Sequence, residues 1–121
     1  MEDLQLQINK LKYQMSLVGE SLDSREHPIA TLVIAMDWDD KDLDKAHDIF
    51  EKFEGILDSG EKPNWTEFEH DFEQQFGIGY QTLKMVVLAF HRNFQWTHVC
   101  EVYAKDKECM EFHEITRPKN F

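Results

Sequence analysis

The chain has 121 residues, of which 41% are hydrophobic and 12% aromatic, so it has enough apolar material for a one-domain core and does not have the composition of a disordered chain. Its 24 acidic and 13 basic side chains leave a formal net charge of −11, which disfavours direct binding to nucleic acid or to an anionic membrane surface. Only five Gly and three Pro are present, fewer than the turns of a β-sandwich or barrel require, and we therefore expect an all-α fold.

No stretch approaches the roughly 18 consecutive apolar residues of a membrane-spanning helix, and the first residues lack the basic and apolar regions of a secretion signal. We therefore expect a cytoplasmic protein in which Cys100 and Cys109 stay reduced. Residues 1–121 are predicted to form a single helical domain, a compact bundle of about five or six helices.

The N-terminal segment carries a heptad pattern over residues 1–23. Its apolar residues step by four, three, four, three and four along one face: Leu4, Ile8, Leu11, Met15, Val18 and Leu22. A face this narrow is typical of a helix that packs on another long helix, in its own chain or in a second copy. In either case the face is predicted to be core. We expect it to mediate self-association, which makes the protein oligomeric.

The second segment, 28–36, begins with Pro28 and is apolar nearly all round, which predicts a short helix buried on most of its faces. Its β-branched content would also fit a buried strand, but the chain offers no second strand to pair with it. A third helix is predicted up to a stop at 59–60, after three candidate N-cap residues: Asp37, Asp39 and Asp40.

A fourth helix is predicted from a capping-box pair, Asn64 and Glu67, to a stop at Gly77. Its core stripe consists of three rings spaced four residues apart: Phe68, Phe72 and Phe76.

A fifth helix over 80–90 and a sixth over 95–113 follow, and 115–121 is expected to be a frayed tail. Gly19 and Gly55 lie inside predicted helices, where glycine is unfavourable, so each is expected to mark a close approach between helices.

Most of the negative charge lies in one part of the chain. Residues 37–73 contain fourteen acids and four Lys, a net of −10. If the third and fourth helices are antiparallel neighbours, their outer faces would form one acidic surface for a basic or nucleic-acid-handling protein partner. The alternative is a solvated face with no partner. The predicted partner-binding residues are Asp39, Asp40, Asp44, Asp48, Glu51, Glu67, Glu69 and Glu73.

Two patterns contain metal-ligating residue types, yet we predict no metal site and no cofactor. The first has the spacing H-x-C-x8-C-x3-H, but its first two members would point to different faces of a helix: His98, Cys100, Cys109 and His113. The second resembles the carboxylate–histidine pairs of di-iron bundles, but it lies away from the inner Phe face: Asp44 with His47, and Glu67 with His70. A structural zinc at the first pattern stays open as an alternative.

The sequence contains no catalytic signature, neither a Gly-x-Ser-x-Gly elbow nor a glycine-rich phosphate loop. A helix-turn-helix interpretation of 67–92 is disfavoured by charge, because the neighbour of the second helix is strongly acidic. That second helix offers few base-reading or phosphate-binding residues: Gln81, Thr82, Lys84, His91 and Arg92. The sequence therefore predicts a non-enzymatic interaction or regulatory protein, in one version an inhibitor that mimics the charge of nucleic acid. The alternatives are a zinc-binding helical protein and a self-assembling structural subunit.

The order of these elements resembles a known family. The matching features are the heptad helix ending at 22–23, the apolar helix 28–36, the acid-capped helix 39–57, the Trp65-Thr66-x-Phe68 start of the fourth helix, and the closing apolar pair. Together they resemble the YhaI family of small proteins of unknown function from Bacillus-type bacteria, over about residues 6 to 110. The resemblance implies an all-α fold that associates through helices, and the family offers no catalytic residues to carry over. It does not explain the acidity of 37–73.

Overall fold

In a computed structural model of the chain, which describes residues 2–117, every regular element is helical. In chain order the elements are α1 (Glu2–Ser21), α2 (Pro28–Met36), α3 (Asp40–Asp58), α4 (Trp65–Phe76), α5 (Tyr80–Arg92), α6 (Thr97–Asp106), a 3-10 turn (Met110–Phe112) and α7 (His113–Thr116). The predicted all-α fold is confirmed, with more helices than the expected five or six. Within the described residues, no helix is long and apolar enough to cross a membrane.

The core lies between α3, α4, α5 and α6, and Phe50 is at its centre. The Phe50 ring packs at centroid distances of 5.6 Å against Phe68 and Phe72 of α4 and of 4.8 Å against Phe90 of α5. All four rings are fully buried. The predicted Phe stripe is therefore core, with Phe76 partly buried at its rim.

Local signals placed most helix ends correctly. The carboxylate of Asp39 accepts a hydrogen bond from the backbone N–H of Asp42 at 2.8 Å, and the Asp42 carboxylate accepts from the Asp39 N–H at 3.0 Å, so Asp39 is the N-cap of α3. Asn64 caps α4, and Gly77 ends it in a left-handed conformation with φ 65°. Glu67 does not complete a capping box with Asn64, because its carboxylate turns instead to a lysine of α3.

The sixth predicted helix, 95–113, is wrong in its extent. α6 ends at Asp106, and the chain turns back over it through the 3-10 turn and α7. This break brings Phe112 and Ile115 into the core at 0% and 7% exposure. The expected frayed tail therefore cannot begin at 115, and its last residues, 118–121, lie outside the described residues.

α2 is a helix as predicted, but the expectation that it is buried on most faces is wrong. Only Pro28 and Leu32 are buried, while Ala30 and Ala35 are exposed. The reason is that α2 packs mainly on α5 and α1, and its remaining surface has no further main neighbour within residues 2–117.

The two glycines inside helices have different surroundings. A Cβ on Gly19 would lie 2.7 Å from Cγ2 of Ile34, so α1 and α2 meet there at a distance that requires glycine. A Cβ on Gly55 would have no atom within 4 Å. The close approach predicted at Gly19 is confirmed, and the one predicted at Gly55 is wrong.

Candidate interaction surfaces

The heptad face of α1 is exposed along the whole helix. No residue of α1 is buried: Leu11 is 60% exposed and Ile8, the least exposed member of the seam within α1, 37%. The expectation that this face is core is wrong within a single chain, because its main neighbour is α2, which has only nine residues. At 1.5 Å per residue, α1 is about 30 Å long and α2 about 14 Å. α2 is therefore too short to cover α1.

An open apolar groove of about 820 Å³ lies between these two helices. Ile8, Leu11 and Met15 of the heptad face form part of the α1 wall, and Ile34 and Ala35 belong to the α2 wall. The groove is therefore continuous with the heptad face and widens the apolar surface that α1 presents.

A second apolar stripe, which the predicted heptad face does not include, runs along the back of α1. Leu6, Tyr13 and Leu17 are 65%, 64% and 45% exposed. At 100° per residue they lie roughly 180° from the heptad face. Their spacing of seven and four residues is the signal that could have revealed them.

The acidic residues of α4 face in opposite directions. On the side toward α3, Nζ of Lys52 lies 2.9 Å from Glu67 Oε1 and 3.0 Å from Asp71 Oδ2, and hydrogen bonding to these two carboxylates raises the pKa of Lys52. On the side toward α6, the Tyr103 hydroxyl donates to Glu69 Oε2 at 2.8 Å. Glu67 and Glu69 therefore have partners within the chain and do not share a surface.

The predicted eight-residue acidic surface does not exist as one patch. Asp39 is engaged in its capping box, where the backbone hydrogen bond from Asp42 lowers its pKa. Glu73 lies one turn after Glu69, on the same flank of α4. What remains is an outer face of α3 whose carboxylates are exposed and have no ion pair within residues 2–117: Asp40, Asp44, Asp48 and Glu51.

One of these residues, Asp48, borders a polar groove between α3 and α4. Lys45, Lys52 and Asp71 line the same groove, so two cations face two carboxylates there. The local charge is nearly balanced. The unbalanced negative charge of α3 therefore lies on the side away from α4.

Neither metal-like pattern forms a site. Cys100 is fully buried beside the carbonyl of Val87, and burial raises the pKa of its thiol, which opposes thiolate formation. Nδ1 of His47 accepts a hydrogen bond from Trp96 Nε1 at 2.9 Å. Among residues 2–117, no three His, Cys, Asp or Glu side chains are placed to hold a metal ion. Within residues 2–117 the four residues of the zinc alternative are therefore not brought together as a ligand set: His98, Cys100, Cys109 and His113.

Comparisons with protein-family models, with curated proteins and with solved structures give no match for this chain. The resemblance to the YhaI family stays a prediction. The functional argument therefore rests on the apolar face of α1 and the acidic face of α3.

Proposed function

We propose that the chain is a non-enzymatic interaction protein that binds an α-helix of a protein partner through the heptad face of α1. The observation that supports this most is a 20-residue helix with an apolar seam and no buried residue. Most helical stability in proteins comes from packing of an apolar face rather than from helix propensity, and α1 buries no residue within one chain. A partner helix would supply the missing packing.

The energy available at this face is sufficient for association. Between 37% and 60% of the surface of each seam residue of α1 is exposed. Burying a Leu or Met side chain completely contributes about 1.5–3 kcal/mol, so covering the exposed half contributes about 1 kcal/mol per residue. The five seam residues of α1 would together contribute about 5 kcal/mol from this chain, with a similar share from the partner. That total can offset the entropy lost on binding.

The test uses two matched variants of α1. Leu11→Glu places a charge on the heptad face, and Leu6→Glu makes the same change on the back stripe, at 60% and 65% exposure respectively. Both variants should fold, because neither residue contributes to the core, and circular dichroism checks this. We expect association, measured by sedimentation velocity, to be lost in Leu11→Glu and kept in Leu6→Glu. The proposal is contradicted if the two variants associate equally well. It is also contradicted if the wild type associates neither with itself nor with a helical protein.

A second candidate function rests on the outer face of α3. Its exposed carboxylates would attract a basic, nucleic-acid-handling protein and, in one form, occupy its nucleic-acid groove in place of phosphates. The observation that favours it is that Asp44 and Glu51 are exposed and, within residues 2–117, have no ion pair. The double variant Asp44→Asn/Glu51→Gln should weaken such binding and reduce its salt dependence. The control is Asp58→Asn at the exposed end of α3. Binding that is insensitive to both salt and the double variant contradicts this candidate.

A further inference from the structure

We propose that the groove between α1 and α2 is the seat of α1 from a second copy of this chain, lying antiparallel, so that two chains close a symmetric dimer around their α1 helices. This inference rests on the proposed function, because it names the occupant of the same face. Each copy would supply one groove and one helix to fill it. The exposed area is sufficient for such an interface, and two observations favour a second copy as the occupant: the distribution of charge and the spacing of the seam.

The exposed area matches what dimerisation removes. The chain exposes 8296 Å² in all, whereas a compact monomer of 14.4 kDa is expected to expose about 6,800 Å². The excess is about 1,500 Å². Within residues 2–117, α1 is the only helix that buries no residue, so part of the excess lies there. A stable interface removes about 800 Å² from each partner, so one dimer contact fits within the excess.

Charge favours contact between copies at α1. The chain carries −11, but α1 contains three acids and two Lys, a net of only −1. Two copies would therefore repel least at this helix. The positions that flank the seam are uncharged apart from Lys12: Gln5, Gln7, Gln14, Gly19 and Ser21. Flanking charges set partner choice and orientation in helix pairing, and this helix has almost none that would repel a second copy.

In each copy, α2 to α7 form an acidic body, and the repulsion between the two bodies determines the orientation of the pair. Each body follows the C-terminal end of α1, so a parallel pair would bring both bodies to the same end. An antiparallel pair places them at opposite ends of a helix about 30 Å long. At physiological ionic strength the Debye length is about 8 Å, so charges held toward opposite ends of the paired helices are largely screened from each other. Antiparallel alignment also brings each helix terminus beside one of opposite partial charge.

One antiparallel register pairs the seam residues from Ile8 to Val18. With Ile8 opposite Val18 of the second copy, Leu11 lies opposite Met15, and the two-fold axis repeats these two pairs. Leu4 would then face Leu22, which follows the end of α1 at Ser21. Each pair joins one residue from each of the two apolar heptad positions. The α2 wall of the groove, with Ala35, would then border the second helix on one side.

The first experiment uses sedimentation equilibrium to measure the mass of the full chain and of two variants in which an alanine of α2 is replaced by glutamate. Ala30 and Ala35 are both exposed, but only Ala35 lines the groove. We expect a dimer of twice 14.4 kDa for the wild type. Ala35→Glu should raise the dissociation constant by at least about 10-fold, and Ala30→Glu should change it by less than about twofold. Equal effects of the two variants would overturn the assignment of the groove.

The second experiment tests orientation by cross-linking in a Cys109→Ser background. The double variant Ile8→Cys/Val18→Cys should give a disulfide-linked dimer on mild oxidation, because positions 8 and 18 of different copies face each other. Ile8→Cys by itself should not, since its two copies lie about 15 Å apart along the helix, beyond disulfide reach. Efficient cross-linking of Ile8→Cys by itself would show parallel pairing and overturn the orientation.

The outcomes separate this inference from the proposed function. A wild-type chain that stays monomeric while binding another helical protein through Leu11 overturns the second copy as occupant and leaves the proposed function standing. A chain that associates with nothing overturns both. A dimer that is lost in Leu11→Glu and weakened in Ala35→Glu supports both.

Discussion

Replacing the two helical glycines by alanine should have opposite effects, although the two changes are chemically identical. Alanine is favoured over glycine inside a helix by about 1 kcal/mol. At Gly55 nothing lies within 4 Å of the new Cβ, so Gly55→Ala should stabilise the protein by about that amount. At Gly19 the new Cβ would lie 2.7 Å from Cγ2 of Ile34. Ordinary carbon contacts are about 3.5–4.0 Å, so the helices must separate by roughly 1 Å.

The size of the Gly19 effect depends on whether Ile34 can move. A β-branched side chain on a helix has one strongly preferred rotamer, so its methyl group cannot swing away cheaply. Overpacking of this kind costs about 1–3 kcal/mol, which exceeds or cancels the propensity gain. We therefore expect Gly19→Ala to change the stability of α1 by between about 0 and −2 kcal/mol and to weaken any association that uses the groove.

The assay must report on α1 itself, because a helix with no buried residue can open without global unfolding. Hydrogen exchange of the α1 amides measures that local opening, and urea denaturation measures the effect of Gly55→Ala. Ile34→Ala removes Cγ2 and leaves Cβ at 3.7 Å, an ordinary contact. In that background Gly19→Ala should regain most of the propensity gain, a coupling of about 1 kcal/mol or more. If Gly19→Ala protects the α1 amides equally well in both backgrounds, α1 and α2 do not touch there and the groove has a different shape.

Three further predictions concern the body of the protein. Tyr103→Phe should lower the free energy of unfolding in urea by about 1–2 kcal/mol, because the Glu69 carboxylate loses the hydroxyl that donates to it. Glu69→Gln keeps an acceptor for that hydroxyl and loses only a contact with Lys107 at 4.0 Å, so it should cost less, and equal losses would contradict this. Hydrogen bonding to Arg92 lowers the pKa of Glu114. The stability that this pair contributes is therefore present above the ordinary pKa of 4.5 and is lost as the pH falls through the pKa of the folded protein, which lowers Tm in acid. Arg92→Gln should make this decrease in Tm smaller. Burial raises the pKa of the Cys100 thiol, so in a Cys109→Ser background a thiol reagent at about pH 8 should label the protein only after unfolding, and rapid labelling of this folded variant would refute the placement of Cys100.

Helix identity and most helix ends could be predicted from the sequence because their causes are local. A proline at the start of α2, a carboxylate before α3 and a glycine after α4 each act on the backbone within a few residues. Burial could not be predicted in the same way. The apolar residues of α1 and α2 looked like core because periodicity shows that a face is apolar but not whether the chain has another helix left to cover it.

The acidic surface failed as a prediction for a geometric reason. Glu67 and Glu69 are two residues apart, so they point about 200° apart around α4. Because the Phe stripe of α4 faces the core, Glu67 lies on the flank toward α3 and binds Lys52, and Glu69 lies on the flank toward α6 and accepts from Tyr103. Neither partner is near in sequence to its glutamate, so only the packing of α3 and α6 against α4 reveals that both carboxylates are engaged.

The apolar and acidic surfaces lie on different helices, and this separation gives the two proposals a joint consequence. A dimer formed through α1 leaves the outer face of α3 uncovered in each copy, so the assembly would present two acidic faces at once. If a basic partner has two sites with matching separation, binding at the first raises the effective concentration at the second. Leu11→Glu, which leaves every acidic residue intact, should then weaken binding to a two-site partner and leave binding to a single-site partner unchanged. Equal affinities of wild type and variant for the two-site partner would show that the acidic faces act independently of the α1 contact.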